Sequence, residues 1–169
     1  MVKLLVVASL VWPLTLAAAV WDRATTGGSV WTHVLYASAA RICHQRPERS
    51  FHTAGVKWPV CGRCSGLYLG APLGTLAAMV VARRRRAALR AALRAHGTTT
   101  YAVAVFRPVW LAVASVPTLL TLVAEWSGLV PVSTLARFVA AVPLGAVIAY
   151  ALVSVVSWPP RPIEYTGAE

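Results

Sequence analysis

Leu67-Tyr68-Leu69-Gly70-Ala71-Pro72-Leu73-Gly74-Thr75-Leu76-Ala77-Ala78-Met79-Val80-Val81-Ala82 is an uncharged run entered from Arg63-Cys64-Ser65-Gly66 and left at Arg83-Arg84-Arg85-Arg86. With its flanks it reaches the roughly 17–25 residues that a helix needs to cross a bilayer. Three more apolar blocks share its character: Leu4 to Val20, Val109 to Ala124 and Phe138 to Val156, each bounded by charge, proline or tryptophan. A helix is the open-ended element that satisfies its own backbone in lipid, so the expected fold is all-α, an integral membrane bundle of about four transmembrane helices. One membrane domain is expected, with spans over 1–21, 65–82, 108–126 and 137–157, a loop over 22–64, a basic connection over 83–107 and a tail over 158–169.

Composition agrees. The 169 residues are 58% hydrophobic and 12% charged, against about 25% charged in an ordinary soluble domain. Trp21, Trp110, Trp126 and Trp158 fall at block ends and Trp58 just before the second block, where an indole can sit at the membrane–water boundary. Lys3 followed by an apolar run and Ala17-Ala18-Ala19 also resembles a secretory signal. The run is long for such a segment and three more spans follow, so it is read as an uncleaved first helix.

Arg83 to Arg86, with Arg90, Arg94 and Arg107, make a connection of seven positive charges without an acid, which the positive-inside tendency assigns to the cytoplasm. The 22–64 loop then lies outside, although it too is basic, with Arg23, Arg41, Arg46, Arg49, Lys57 and Arg63 against Asp22 and Glu48. Arg83 to His96 is rich in helix formers and ends before Gly97, a candidate C-cap, so the second helix should continue past the bilayer. Its arginines suit anionic phospholipid at about 1 kcal/mol each near the surface. That basic helix accounts for the net charge of +11 without a nucleic-acid partner.

Gly66, Gly70, Gly74, Ala78 and Ala82 recur every fourth residue, as do Ala141, Gly145 and Ala149. Such ridges let helices approach closely in lipid, so the second and fourth spans are expected to touch; a homo-oligomer is also permitted.

The chemistry lies in the first long loop. Cys61-Gly62-Arg63-Cys64 places two thiols three residues apart across an easy turn, a spacing shared by zinc sites and redox dithiols. Cys43 is a candidate third ligand. Because Cys43 and His44 are adjacent and their side chains diverge, the fourth ligand stays open among His44, His52, Glu48 and water. Zinc suits a thiolate and imidazole set. The rival reading is a membrane thiol–disulfide oxidoreductase using Cys61 and Cys64, with Arg63 favouring the thiolate. A third is a non-catalytic lipid-binding or assembly protein whose cysteines only pack the loop. Arg41, Arg46, Arg49 and Arg63 surround the thiols and are candidates to hold a phosphate or lipid headgroup.

His33 and His96 read as interfacial or solvated residues, and Val30 to Ile42 as a helix lying in the interface beneath the loop. Glu125 is the sole acid in an apolar block; at the block's end it reads either as an interfacial anchor or as a partner for Arg137, which is expected to begin the fourth helix after a turn over 127–134. Glu125 and Arg137 then join the cysteine loop at one membrane face.

Cys43-His44-Gln45, Pro47-Glu48-Arg49-Ser50-Phe51 and Pro59-Val60-Cys61 with Arg63-Cys64 and Gly66 together resemble the signature of an uncharacterised family of small prokaryotic integral membrane proteins, a domain of unknown function. The resemblance is specific over Cys43 to Gly74. It implies an acidic residue and a Ser-x-x-x-Arg element in the later helices, for which Glu125 and Ser133 with Arg137 are the counterparts; glutamate stands where the family pattern has aspartate. It implies a prokaryotic cell (inner) membrane location and supplies no activity.

Overall fold

A computed structural model describes residues 2–96, 108–128 and 131–157. Gly97, Arg107 and Trp158, and the middle of the turn before the last helix, lie outside the described residues. The chain runs through α1 (Val2–Thr26), α2 (Val30–Ala40), a 3-10 turn (Pro47–Arg49), β1 (Ser50–Thr53), β2 (Val56–Cys61), α3 (Gly62–His96), α4 (Val109–Trp126) and α5 (Thr134–Val156). Helices α1, α3, α4 and α5 are long and apolar enough to cross a membrane. Their exposed surface is largely leucine and valine, and Trp21, Trp110 and Trp126 stand exposed at their ends. At 35 residues α3 measures about 52 Å, against a hydrocarbon core of about 30 Å, and its Arg83 to Arg86 and Arg90 are exposed past the apolar stretch.

Helices α3 and α5 run parallel in backbone-to-backbone contact. A Cβ added at Gly66, Gly70 or Gly74 would collide with the carbonyl oxygen of Phe138, Val142 or Ala146 respectively, and one at Gly145 with that of Leu67. Each step is four residues on both helices, so the ridge read from the sequence meets the α5 ridge inside the same chain. Gly62 extends it by one step, against Thr134. Helix α1 crosses α3 in the opposite sense: Ser9 Oγ lies 3.1 Å from Thr75 Oγ1, and the Trp12 and Tyr68 rings meet edge to face at 5.8 Å. Helix α4 is tied to α5 by the Thr118 hydroxyl, which donates to the Ala140 carbonyl at 2.9 Å.

Two features depart from expectation. The loop holds a β-hairpin: Ala54 and Gly55, at φ 51° and 75°, form the two-residue turn between Thr53 and its partner Val56, the signature of a type I′ turn. The register shifts between Ser50 and His52 opposite Trp58-Pro59-Val60, where proline has no N–H to give the ladder. And α5 starts at Thr134 rather than Arg137, because the Ser133 hydroxyl accepts from the Ala136 N–H as an N-cap and recruits the preceding turn. The segment expected to form an interfacial helix holds α2, a separate helix of 11 residues.

Candidate metal centre and adjoining arginine cluster

Three elements converge where β2 becomes α3. Cys61 ends β2, Cys64 lies in the first turn of α3, and Cys43 follows the end of α2, where its N–H donates to Ala39 at 2.9 Å. The ligand atoms of Cys43, Cys61 and Cys64 all lie within 4.8 Å of one another, and the three thiols are unbridged. Cys43, 4% exposed, packs with Leu16, Ala39 and Val60; Cys61 and Cys64 are half-buried beside Trp12, Leu35 and Tyr68. The Cys61 N–H donates to Cys43 Sγ at 3.2 Å, fixing the upstream thiol against the start of α3.

The Cys61 thiol is pushed down to about 5. A hydrogen bond from the Cys64 thiol is the largest cause; burial opposes it, and the backbone N–H of Cys64, the Cys43 thiol and the backbone N–H of Arg63 add to it. Cys61 stands immediately before the start of α3, a position that favours a thiolate. Arg63, expected to supply that effect, points elsewhere.

The surrounding loop is braced by groups that the sequence did not single out for this role. Gln45, at φ 47°, donates from Nε2 to the Tyr36 carbonyl at 2.8 Å, Lys57 Nζ donates to the Gln45 carbonyl at 2.7 Å, and the Tyr36 hydroxyl donates to the Lys57 carbonyl at 2.6 Å. Arg23 lies over the Tyr36 ring, 4.6 Å from its centroid, and burial pushes the Tyr36 hydroxyl up. These ties hold the Cys43 turn to α2 and the hairpin. Phe51 anchors the hairpin on α5 through an edge contact with Phe138 at 5.5 Å.

The imidazoles do not join the thiols. His44 and His52 are exposed and lie outside the three-residue group, as does exposed Glu48. His44 diverges from buried Cys43 as adjacent residues must, and His52 is on the outer side of β1.

Glu125 has three partners rather than one. Arg49 Nη2 lies 2.9 Å and Arg137 Nη2 3.0 Å from its Oε1, and Arg63 Nη2 2.8 Å from its Oε2. Arg63 Nη2 also reaches the Thr121 hydroxyl at 3.5 Å. Successive helical residues diverge by about 100°, so the first turn of α3 sends Cys64 toward α1 and α2 and Arg63 toward α4 and α5. Arg41 and Arg46 are exposed, so of the four loop arginines only Arg49 and Arg63 are drawn together. Thiol and arginine clusters therefore stand on opposite sides of one helix start, at one end of the bundle.

Residues 43–151 match the family described as "Predicted membrane protein (DUF2085)". An uncharacterized protein of Methanothermobacter thermautotrophicus is 60% identical over 30 residues, 18% of this chain and 27% of its own length. Uncharacterized protein MJ1492 of Methanocaldococcus jannaschii is 50% identical over 42 residues, 25% of this chain and 27% of its own length. The chain thus spans about a quarter of the length of these relatives. No solved structure matches. The match begins at Cys43 and takes in Cys61, Cys64, Glu125 and Arg137, and over it this chain belongs to the DUF2085 family of membrane proteins.

Proposed function

We propose that this protein binds a zinc ion on Cys43, Cys61 and Cys64 at the extracytoplasmic face of a prokaryotic cell membrane. One observation carries the reading: the fold brings a cysteine from 18 residues upstream onto a Cys-x-x-Cys pair, within 4.8 Å of both thiols. Two thiolates on one zinc, each at about 2.3 Å, lie about 3.8 Å apart, so this spacing suits a shared ion. A dithiol exchange couple has no use for Cys43, whereas a metal site does. Zinc suits a thiolate set without needing a redox partner. With His44 and His52 turned outward, the fourth position falls to water or to a substrate, the pattern of a site that keeps a coordination position open. The outward placement of the thiol face rests on the arginines at the far end of α3.

The test is metal content by mass spectrometry on detergent-purified protein, with free thiols counted on the same samples. About one zinc per chain is expected in the wild type and in His44→Ala and His52→Ala. Cys43→Ser and the double variant Cys61→Ser/Cys64→Ser should both lose it. A metal-free wild type with a Cys61–Cys64 disulfide and a free Cys43 would replace the zinc reading with thiol–disulfide exchange. That rival draws support from the lowered Cys61 thiol.

A further inference from the structure

We propose that Arg49, Arg63 and Arg137 form a binding site for a phosphate-class oxyanion, with Glu125 as its built-in counter-charge. Three guanidinium groups converge on one carboxylate, and among the described residues no second acid pairs with them, an excess of two positive charges. The side chains of Arg137, Arg63 and Glu125 are only 9%, 16% and 10% exposed, so water offers little relief. Uncompensated buried cations are costly, and a fold that only needed to neutralise Glu125 would do so with one guanidinium.

A second observation points the same way. Arg63 Nε and Arg137 Nε are buried and have no hydrogen-bond partner among the described residues. Donors of this kind are rarely left unmet in a folded protein, and guanidinium forks match the oxygens of a phosphate. Helices α3 and α5 begin side by side, with Gly62 against Thr134. Arg63 and Arg137 therefore stand at the same level, each in the first turn of its helix. Entry is from the side of Arg49, whose side chain is 35% exposed. At the end of four membrane-length helices the ligand is either the phosphate of a lipid headgroup or free phosphate.

Two arms separate these sources. Full-length protein in uncharged detergent is titrated with inorganic phosphate by calorimetry. Protein from phosphatidylcholine vesicles containing phosphatidylglycerol is examined by native mass spectrometry for retained phosphatidylglycerol. Arg49→Gln, at the rim, should weaken binding about tenfold, the scale of one lost charge-assisted hydrogen bond. Glu125→Gln should tighten it by a similar factor, and Arg46→Gln, an exposed neighbour outside the cluster, should leave it within about twofold. Binding in the phosphate arm alone identifies a soluble ligand, in the lipid arm alone a headgroup, and either with the Arg49 effect supports the site. No binding in both arms, or binding that Arg49→Gln leaves unchanged, overturns it. Should Glu125→Gln fail to fold, Arg49→Gln still decides. Zinc content should be the same in Arg49→Gln and wild type, which keeps this test separate from that of the thiols.

Discussion

Gly70→Ala sets helix propensity against helix packing. In a helix interior alanine is favoured over glycine by about 1 kcal/mol, so local propensity alone predicts a more stable protein. The structure predicts the opposite. The added methyl would lie 2.8 Å from Ala146 N and 3.1 Å from the Val142 carbonyl carbon, against rigid backbone rather than a flexible side chain. Restoring ordinary contact needs about 1 Å of separation between α3 and α5. A gap of that size forfeits a quarter to a half of each dispersion contact along the seam; overpacking costs about 1–3 kcal/mol, a contact with rigid backbone falls in the upper part of that range, and the propensity gain of about 1 kcal/mol is subtracted from it. Lipid supplies no hydrophobic drive to hold the helices together, so nothing else offsets the loss. The net expectation is a destabilisation of about 1–2 kcal/mol. Ala77→Leu, on the exposed face of the same helix, should change stability by under about 0.5 kcal/mol. The assay is denaturant unfolding in mixed micelles, followed by alkylation of buried Cys43 as it becomes accessible. A Gly70→Ala protein as stable as the wild type, or more so, would refute the parallel backbone contact from which the figure is worked.

Three further outcomes are expected. Glu125→Ala should cost more than Arg137→Ala in the same assay, because the first leaves three guanidinium groups facing one another while the second leaves Glu125 with Arg49 and Arg63; a buried pair broken outright costs about 3–5 kcal/mol, and Arg137→Ala should fall below that range. Ala54→Gly should raise stability by up to about 1 kcal/mol by removing the Cβ from a left-handed turn position at φ 51°, and a loss would argue against the two-residue hairpin. Tyr36→Phe should remove the tie to the Lys57 carbonyl, costing about 1 kcal/mol and speeding alkylation of Cys43, while Ser38→Ala on the exposed face of α2 leaves the rate unchanged.

What the sequence disclosed follows the range of the interactions concerned. Spans and ridges are periodic signals carried by neighbouring residues, so hydropathy found the four helices and the four-residue step of Gly66, Gly70 and Gly74 marked the face that meets α5. The hairpin went unread because its turn is Ala54-Gly55 rather than asparagine or aspartate before glycine, and Pro59 argues against a strand. Side-chain direction was the harder quantity. Three cysteines 18 and three residues apart are compatible with one site, but nothing local says that His44 turns outward as Cys43 turns in. Arg63 stands between two thiols in sequence and was assigned to them, yet its partner Glu125 is 62 residues away. The charge excess is legible only in part: a partnership of Glu125 with Arg137 is one of the two readings the sequence allows, while Arg49 and Arg63 join them through tertiary packing alone.

The two clusters share a single structural cause. Parallel pairing of α3 with α5 requires α4 to run back between them, which returns Glu125 at its end to the level where α3 and α5 begin. Cys61-Gly62-Arg63-Cys64 occupies that level as both strand end and helix start, so one short segment serves both sides. Its phase is set by Gly62, where a side chain would strike Thr134. One residue inserted between Gly62 and Arg63 would rotate the rest of α3 by about 100° relative to the seam, unless the helix start shifted instead. In the first case the glycine ridge leaves α5; in the second Cys61 loses its place beside the α3 N-terminus. Either way both clusters are disturbed together, which makes the Cys-Gly-Arg-Cys spacing a constraint on the arginine site as much as on the thiols.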